Sequence, residues 1–284
     1  MPLRRPLAVA LVLALAAPAA AQSWAQDPPR DAANPAAMEV LHIPSGGVAI
    51  NGIAYVPAGK GPHPVLVIAH GWPGNEKNLD LAQTARRAGW VAVTFNYRGS
   101  WGSPGDFSFG HVLEDTRAVL AYLRLPATAA KLRADAGTIV FAGHSMGGWA
   151  TAHVAATDPA LKGAVLISAA DLGNLGRMAK PALEQMASEN METLATTPAK
   201  LANEAIANRD AFSFAALPPR LAQTPLLVLT SDDGLAKDTD RLVAGIRRAG
   251  GTKVTEAHEA TDHGWSDKRI ALETHVIDWL AALR

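Results

Sequence analysis

Short apolar runs alternate with helical stretches along most of this 284-residue chain. Apolar runs of this length are typical of parallel strands that are buried on both faces. The alternation therefore predicts an α/β fold, with a mostly parallel central sheet flanked by helices. The apolar runs cover residues 65–69, 90–95, 137–142, 163–168, 226–230 and 253–256. The helical patterns cover 78–88, 112–123, 149–156 and 239–249, and a closing helix places Leu272, Val276, Trp279, Leu280 and Leu283 on one face.

Two segments depart from this alternation. Near the start of the sheet, Asn51-Gly52 lies between the apolar runs 48–50 and 53–56, a pattern that predicts a two-residue hairpin turn. Residues 171–223 contain helix-forming residues but no strand-like run. We expect this segment to form a helical cap insertion over the carboxyl edge of the sheet, packed onto the body through its methionines.

The N-terminus has the layout of an export signal. The cationic pair Arg4-Arg5 precedes an apolar run over 7–17, and small residues follow up to Ala21. The run is shorter than the about 20 residues that a membrane span needs. We therefore predict a signal peptide over 1–21, a flexible leader over 22–37 and a single α/β domain over 38–284. The mature protein is then periplasmic or secreted, without a stable membrane anchor.

Charge and cysteine content narrow the possible partners. The chain has 26 Lys and Arg residues against 26 Asp and Glu residues, so its formal net charge is zero. This balance gives no indication of nucleic acid as a partner and favours a small molecule. The chain has no cysteine, which excludes a thiol nucleophile, a disulfide and a lipidated cysteine. The oligomeric state stays open.

The motif Gly143-His144-Ser145-Met146-Gly147 stands between a predicted strand and a predicted helix. A serine at such a tight strand-to-helix turn is lifted above the sheet, and the glycines leave room for the turn. This context identifies Ser145 as a candidate nucleophile.

Upstream, His70-Gly71-Trp72-Pro73-Gly74 follows the strand that ends at residue 69. With this loop and the serine motif, the chain resembles the α/β-hydrolase superfamily of serine hydrolases. The resemblance implies an oxyanion hole formed by the backbone N–H groups of Trp72 and Met146. We interpret His70 as a structural histidine that fixes the loop and not as a catalytic base.

The same resemblance implies an acid and then a histidine after the serine. Asp232 and Asp233 both follow the strand 226–230, and the family pattern favours Asp233. His263 lies in a loop before the last helix and is preferred to His258, which is closer to a strand. The expected triad is Ser145, Asp233 and His263.

A second motif, Phe95-Asn96-Tyr97-Arg98-Gly99-Ser100 with Glu114-Asp115 beyond it, resembles prolyl-oligopeptidase-like hydrolase domains and dienelactone-hydrolase-like esterases. The chain has no segment that would form the propeller domain of the former and lacks the cysteine nucleophile of the latter. The resemblance therefore implies a stand-alone esterase that acts on a small ester or acyl substrate. A peptidase or amidase, with Arg98 or Arg177 as a charged anchor, is the alternative. A catalytically silent binding protein is a third interpretation.

Three tryptophans flank the expected site: Trp72, Trp101 and Trp265. Their positions suggest an apolar substrate pocket, although loop aromatics also serve to shield a sheet edge. Histidines are not clustered at metal-ligand spacing, so we predict neither a metal nor another cofactor.

Overall fold

The computed structural model describes residues 23–283. The strands are β1 (Ala37–Ser45), β2 (Val48–Val56), β3 (His63–Ala69), β4 (Val91–Phe95), β5 (Ala134–His144), β6 (Gly163–Ile167), β7 (Leu226–Ser231) and β8 (Val254–Glu259). The helices are α1 (Leu79–Arg87), α2 (Phe109–Leu123), α3 (Pro126–Leu132), α4 (Met146–Ala155), α5 (Leu172–Leu175), α6 (Lys180–Ser188), α7 (Pro198–Ala207), α8 (Pro218–Leu221), α9 (Ala236–Arg248) and α10 (Arg269–Ala282). Two short 3₁₀ turns lie at Ser23–Ala25 and Phe214–Ala216.

The eight strands form one sheet in the order β1-β2-β4-β3-β5-β6-β7-β8. β1 pairs antiparallel with β2, and β2 pairs antiparallel with β4. All pairings from β4 to β8 are parallel. The predicted α/β class, with its mostly parallel sheet, is confirmed. In such a sheet the carboxyl ends of neighbouring strands share one edge, where the connecting loops collect functional side chains.

The sheet separates two apolar clusters, one on each face. Along β3, Val65 and Val67 belong to the larger cluster, whereas Leu66 and Ile68 belong to the smaller one. This alternation follows from the pleat, which turns successive side chains to opposite faces. Because both faces are covered, β3 and β4 contain continuous apolar runs, which is why the sequence identifies them.

The predicted hairpin turn at Asn51-Gly52 is wrong. Both residues lie inside β2, and the turn that joins β1 to β2 is formed by Gly46-Gly47. Both glycines of that turn have positive φ, 55° and 82°, a backbone shape that suits a two-residue hairpin. Gly46-Gly47 and Asn51-Gly52 both have the composition of a two-residue turn. The chain turns at Gly46-Gly47, because Asn51-Gly52 pairs with β1 as part of β2.

The first described residues pack onto the domain. Trp24 is buried in the smaller apolar cluster, and its carbonyl oxygen accepts a hydrogen bond of 2.7 Å from Arg87 Nε on α1. The leader predicted over 22–37 is thus attached to the body at Trp24, and β1 already begins at Ala37. The predicted signal over 1–21 lies outside the described residues. Between residues 23 and 283, no helix is long and apolar enough to cross a bilayer.

The segment 171–223 contains four helices, α5 to α8, as its composition suggests. Its methionines Met178, Met186 and Met191 are partly buried against the larger apolar cluster. Glu204 on α7 accepts hydrogen bonds from the N–H groups of Phe109 and Gly110, at 2.8 and 2.9 Å. A carboxylate at a helix N-terminus satisfies free N–H groups there, so this contact fixes the cap insertion to the start of α2.

Candidate active site

Ser145 occupies the sharp turn between β5 and α4. Its φ of 57° and ψ of −120° lie in a region that non-glycine residues rarely adopt. The neighbouring β6 segment holds this turn: Ser145 N donates to the carbonyl of Ile167 at 2.9 Å, and Ala170 N donates to the Ser145 carbonyl at 3.3 Å. A strained residue persists only where its surroundings constrain it, and such residues cluster at functional sites.

Two glycines make this turn sterically possible. A Cβ atom on Gly143 would lie 2.0 Å from the carbonyl oxygen of Gly147. A Cβ atom on Gly147 would lie 2.2 Å from the carbonyl oxygen of Ala69, at the end of β3. Any larger residue at either position would force β3, β5 and α4 apart. The motif therefore has a packing reason in addition to its proposed chemical one.

The loop after β3 runs directly beside the serine. A Cβ atom built on Gly71 would lie only 2.9 Å from the Cβ of Ser145. Trp72 follows in that loop, and Met146 begins α4 on the other side of the serine in sequence. The two residues predicted to supply the oxyanion hole thus come from segments that meet at Ser145. Their role as donors stays a prediction.

Asp233 and His263 are joined by a short hydrogen bond. His263 Nδ1 donates to Asp233 Oδ2 at 2.7 Å, and Leu235 N donates to the other carboxylate oxygen at 2.9 Å. The Asp233 side chain is 4% exposed and that of His263 is 42% exposed. Burial raises the pKa of Asp233, but these two hydrogen bonds outweigh it and hold that pKa below its usual value. Asp233 is therefore ionised, and its carboxylate accepts the hydrogen bond donated by His263 Nδ1, which orients the ring.

His144 connects the serine turn to the His263 loop. Its Nε2 donates to the carbonyl oxygen of His263 at 2.7 Å, and the two rings are 4.6 Å apart with an interplanar angle of 43°. Burial lowers the pKa of His144 to about 4, so its ring is neutral. The sequence alone gives no indication of this contact, because the position of His144 in the motif accepts any residue. Within residues 23–283 no hydrogen bond joins the Ser145 hydroxyl to His263, and such bonds often tighten only when substrate binds.

The rival acid and histidine form a different pair. His258 Nε2 lies 3.2 Å from Asp232 Oδ1, and His258 Nδ1 lies 2.9 Å from Thr230 Oγ1. Both side chains are at least half exposed. His258 belongs to β8, which extends to Glu259, and not to the loop that carries His263. The structure thus separates a buried carboxylate with its histidine from a surface pair.

The three tryptophans occupy different environments. Trp72 is half-buried, and its ring meets Phe109 edge-on at 5.5 Å. Trp101 Nε1 donates to the carbonyl oxygen of Pro73 at 2.8 Å, which ties the 96–103 loop to the loop of Trp72. Trp265 is fully buried in the smaller apolar cluster, with its Nε1 donating to Ser168 Oγ at 3.0 Å. The prediction that Trp265 lines a substrate pocket is wrong, because its ring has no exposed surface.

Residues 66–278 match the alpha/beta hydrolase family, and the chain therefore belongs to that family. The resemblance inferred from the sequence motifs is confirmed. No curated protein sequence matches the chain.

Solved structures share the fold. The structure is similar to that of a thermophilic and thermostable carboxylesterase from a metagenomic library, with a TM-score of 0.64 and 23% identity over 88% of this chain and 91% of that one. Similarity to 2,6-dihydroxy-pseudo-oxynicotine hydrolase has a TM-score of 0.64, with 18% identity over 87% of this chain and 68% of that one. The acylaminoacyl peptidase of Pyrococcus horikoshii gives the same TM-score at 18% identity, over 87% of this chain and 41% of that one. At these identities the likeness establishes the fold alone.

Buried histidines predict a loss of stability in mild acid. Burial lowers the pKa values of His70, His144 and His153 to about 4. In the unfolded chain a histidine side chain has a pKa of about 6.5. Between these values the unfolded state binds more protons than the folded state, so the free energy of unfolding falls as the pH falls. Each histidine contributes a slope of up to about 1.4 kcal/mol per pH unit, present between about pH 6.5 and 4 and absent above that range.

Urea unfolding at pH 7, 6, 5 and 4.5 measures this slope. His153→Gln is expected to reduce it, since that ring packs against Trp149 and does not contact His263. His42→Gln is the matched control, because His42 is exposed, and should leave the slope as it is in the wild type. An equal slope in the His153 variant and the wild type would contradict the assignment.

Proposed function

We propose that the protein is a serine hydrolase that cleaves carboxylic esters through an acyl-enzyme on Ser145. The observation that carries this proposal is the hydrogen bond between the buried Asp233 carboxylate and His263 Nδ1. His263 lies in a loop that His144 joins to the serine turn. With its proton fixed on Nδ1, His263 presents the lone pair of Nε2 as a general base. Such a pairing of nucleophile, base and orienting acid defines the expected triad chemistry.

In the proposed reaction His263 Nε2 takes the proton of Ser145 Oγ while that oxygen attacks the ester carbonyl. The negative charge on the carbonyl oxygen is stabilised by the N–H groups of Trp72 and Met146. His263 then protonates the leaving alcohol, and a water molecule activated in the same way releases the acid. Asp233 keeps its charge throughout and stabilises the imidazolium.

The state of the two candidate anchors favours ester over peptide substrates. Arg98 is buried, and its Nε donates to Asp115 at 2.6 Å while its Nη2 donates to Glu114 at 2.5 Å. Arg177 donates to Asp210 at 2.9 Å and to the carbonyl of Gly173 at 2.7 Å. Each guanidinium is already paired with a carboxylate of this chain. A peptidase that holds the C-terminal carboxylate of its substrate needs a cation that is free to bind it.

Replacing the nucleophile tests the central step. Ser145→Ala is expected to reduce kcat for short p-nitrophenyl esters by about 10⁴-fold or more and to abolish labelling by a fluorophosphonate. The wild type should hydrolyse esters of graded acyl length faster than aminoacyl amides. Continued labelling of the alanine variant would contradict the role of Ser145, and faster amide cleavage would favour the peptidase alternative.

Variants of the two adjacent aspartates test which of them is the acid of the triad. Asp233→Asn removes the charge that orients His263 and is expected to lower kcat by about 10⁴-fold. Asp232→Asn affects only the exposed contact with His258 and should change kcat by less than about 3-fold. Parallel kinetics and thermal unfolding of the two variants make the comparison. A larger loss of activity for the Asp232 variant would reverse the assignment.

We also propose that the protein is exported and that residues 1–21 are removed. The support is the cationic start, the short apolar run and the small residues before Gln22. Expression of the full chain in a Gram-negative host should yield a periplasmic protein whose first residue is Gln22. A protein in the cytoplasmic fraction that still begins with Met1 would contradict export.

A further inference from the structure

The loop after β4 holds the loop that carries Trp72 through two side-chain hydrogen bonds. Tyr97 Oη donates to the carbonyl oxygen of His70 at 3.0 Å, and Trp101 Nε1 donates to that of Pro73 at 2.8 Å. These two carbonyl groups flank Trp72 in the chain. The main chain that bears the N–H group of Trp72 is therefore fixed on both sides by donors from one neighbouring loop.

The two loops are also in close contact beyond these bonds. A Cβ atom on Gly74 would lie 2.5 Å from His70 Nδ1 and 2.7 Å from Trp101 Nε1, so there is no space for a side chain between them. Lys77 Nζ lies 4.1 Å from the centre of the Trp101 ring and donates to Asn96 Oδ1 at 3.0 Å. In such packing the loop after β3 does not shift unless the loop after β4 shifts with it.

The loop after β4 is itself firmly attached to the body. Arg98 N and Nε donate to the two carboxylate oxygens of Asp115 on α2, at 2.8 and 2.6 Å, and Asp115 is fully buried. Trp101 has a φ of 49°, which non-glycine residues rarely adopt. Its main chain is held by Asn96 Nδ2, which donates to the Trp101 carbonyl at 3.2 Å, and by the Thr193 carbonyl, which accepts from Trp101 N at 3.4 Å. A strained residue that is fixed in this way is typical of a functional region.

We propose that Tyr97 and Trp101 are positioning residues, which hold the Trp72 N–H group where negative charge develops on the substrate carbonyl oxygen. This inference rests on the proposed function and adds to it the side chains that preorganise the oxyanion hole. Donors stabilise a transition state most when they are in place before the reaction, because they then need no reorganisation. The role of Trp101 is exerted through the Pro73 carbonyl and does not require contact with substrate.

Tyr97→Phe and Trp101→Phe each remove one of the two donors and keep an aromatic ring. For a short p-nitrophenyl ester, each is expected to lower kcat by about 10-fold, since a displaced catalytic group loses rate steeply. KM should change by less than about 2-fold, because the oxyanion hole acts mainly on the transition state. Active sites are counted by fluorophosphonate titration, so that kcat refers to folded enzyme alone. Trp24→Phe is the matched control and should leave kcat unchanged, because Trp24 lies in the smaller apolar cluster and its Nε1 has no partner among the described residues.

A trifluoromethyl ketone with the same acyl group tests the oxyanion hole directly. Ser145 Oγ adds to its carbonyl carbon, the C=O electron pair moves onto the oxygen, and the serine proton passes to His263. The Ki of this ketone is expected to rise in both variants by the factor that kcat/KM falls, because both report on the same oxyanion.

The outcomes separate this inference from the proposed function. A wild type that hydrolyses neither esters nor amides would contradict the proposed function, and this inference with it. With an active wild type, unchanged kcat per titrated site in both variants would overturn this inference alone, even if thermal stability fell. A lower kcat with an unchanged Ki would also overturn it, because the lost interaction would then lie elsewhere. Trp101 is partly exposed, so Trp101→Phe decides the question by itself if Tyr97→Phe is poorly folded.

Discussion

The structure around Ser145 depends on the close approach of three main-chain segments. β5, the start of α4 and the end of β3 meet where Gly143 faces Gly147 and Gly147 faces the Ala69 carbonyl. These distances leave no space for a side chain, so the positive φ at Ser145 is imposed from both sides. Because interiors are close-packed, a shift at any of the three segments would relax the turn and move the serine. The same contact brings the loop of Trp72 beside the serine, since that loop continues directly from β3.

His144 gives the second constraint, and its neutral state matters as much as its position. Its ring lies against that of His263 and its Nε2 binds the His263 backbone. In the proposed mechanism His263 becomes an imidazolium, and a charged ring 4.6 Å away would oppose that step. Burial lowers the pKa of His144 to about 4, so it holds the loop without adding charge. In that mechanism the negative charge that stabilises the imidazolium is that of Asp233, which lies 2.7 Å from His263 Nδ1.

The fold was largely predictable because buried parallel strands are written as continuous apolar runs, and Val65–Ala69 and Val91–Phe95 are of that kind. Local signals failed where a distant partner decides the outcome. Asn51-Gly52 has the composition of a turn but pairs as a strand with β1, and α3 carries too little apolar pattern to be recognised. The order of the candidate site residues follows family resemblance. The burial of Trp265 does not, because it depends on packing in the smaller apolar cluster and on a hydrogen bond to Ser168, which is distant in sequence.

The pairing of charged side chains is the clearest example of a property that the sequence alone does not show. A sequence counts cations but does not indicate which of them are already paired. Arg98 and Arg177 look like anchors, yet one is enclosed by Asp115 and Glu114 and the other by Asp210 and backbone carbonyls. Lys77 belongs to no sequence motif, but it is half-buried and has no carboxylate partner among the residues described. A cation that is already paired within the fold is poorly suited to bind an anion from solution, because the new contact has to replace the old one.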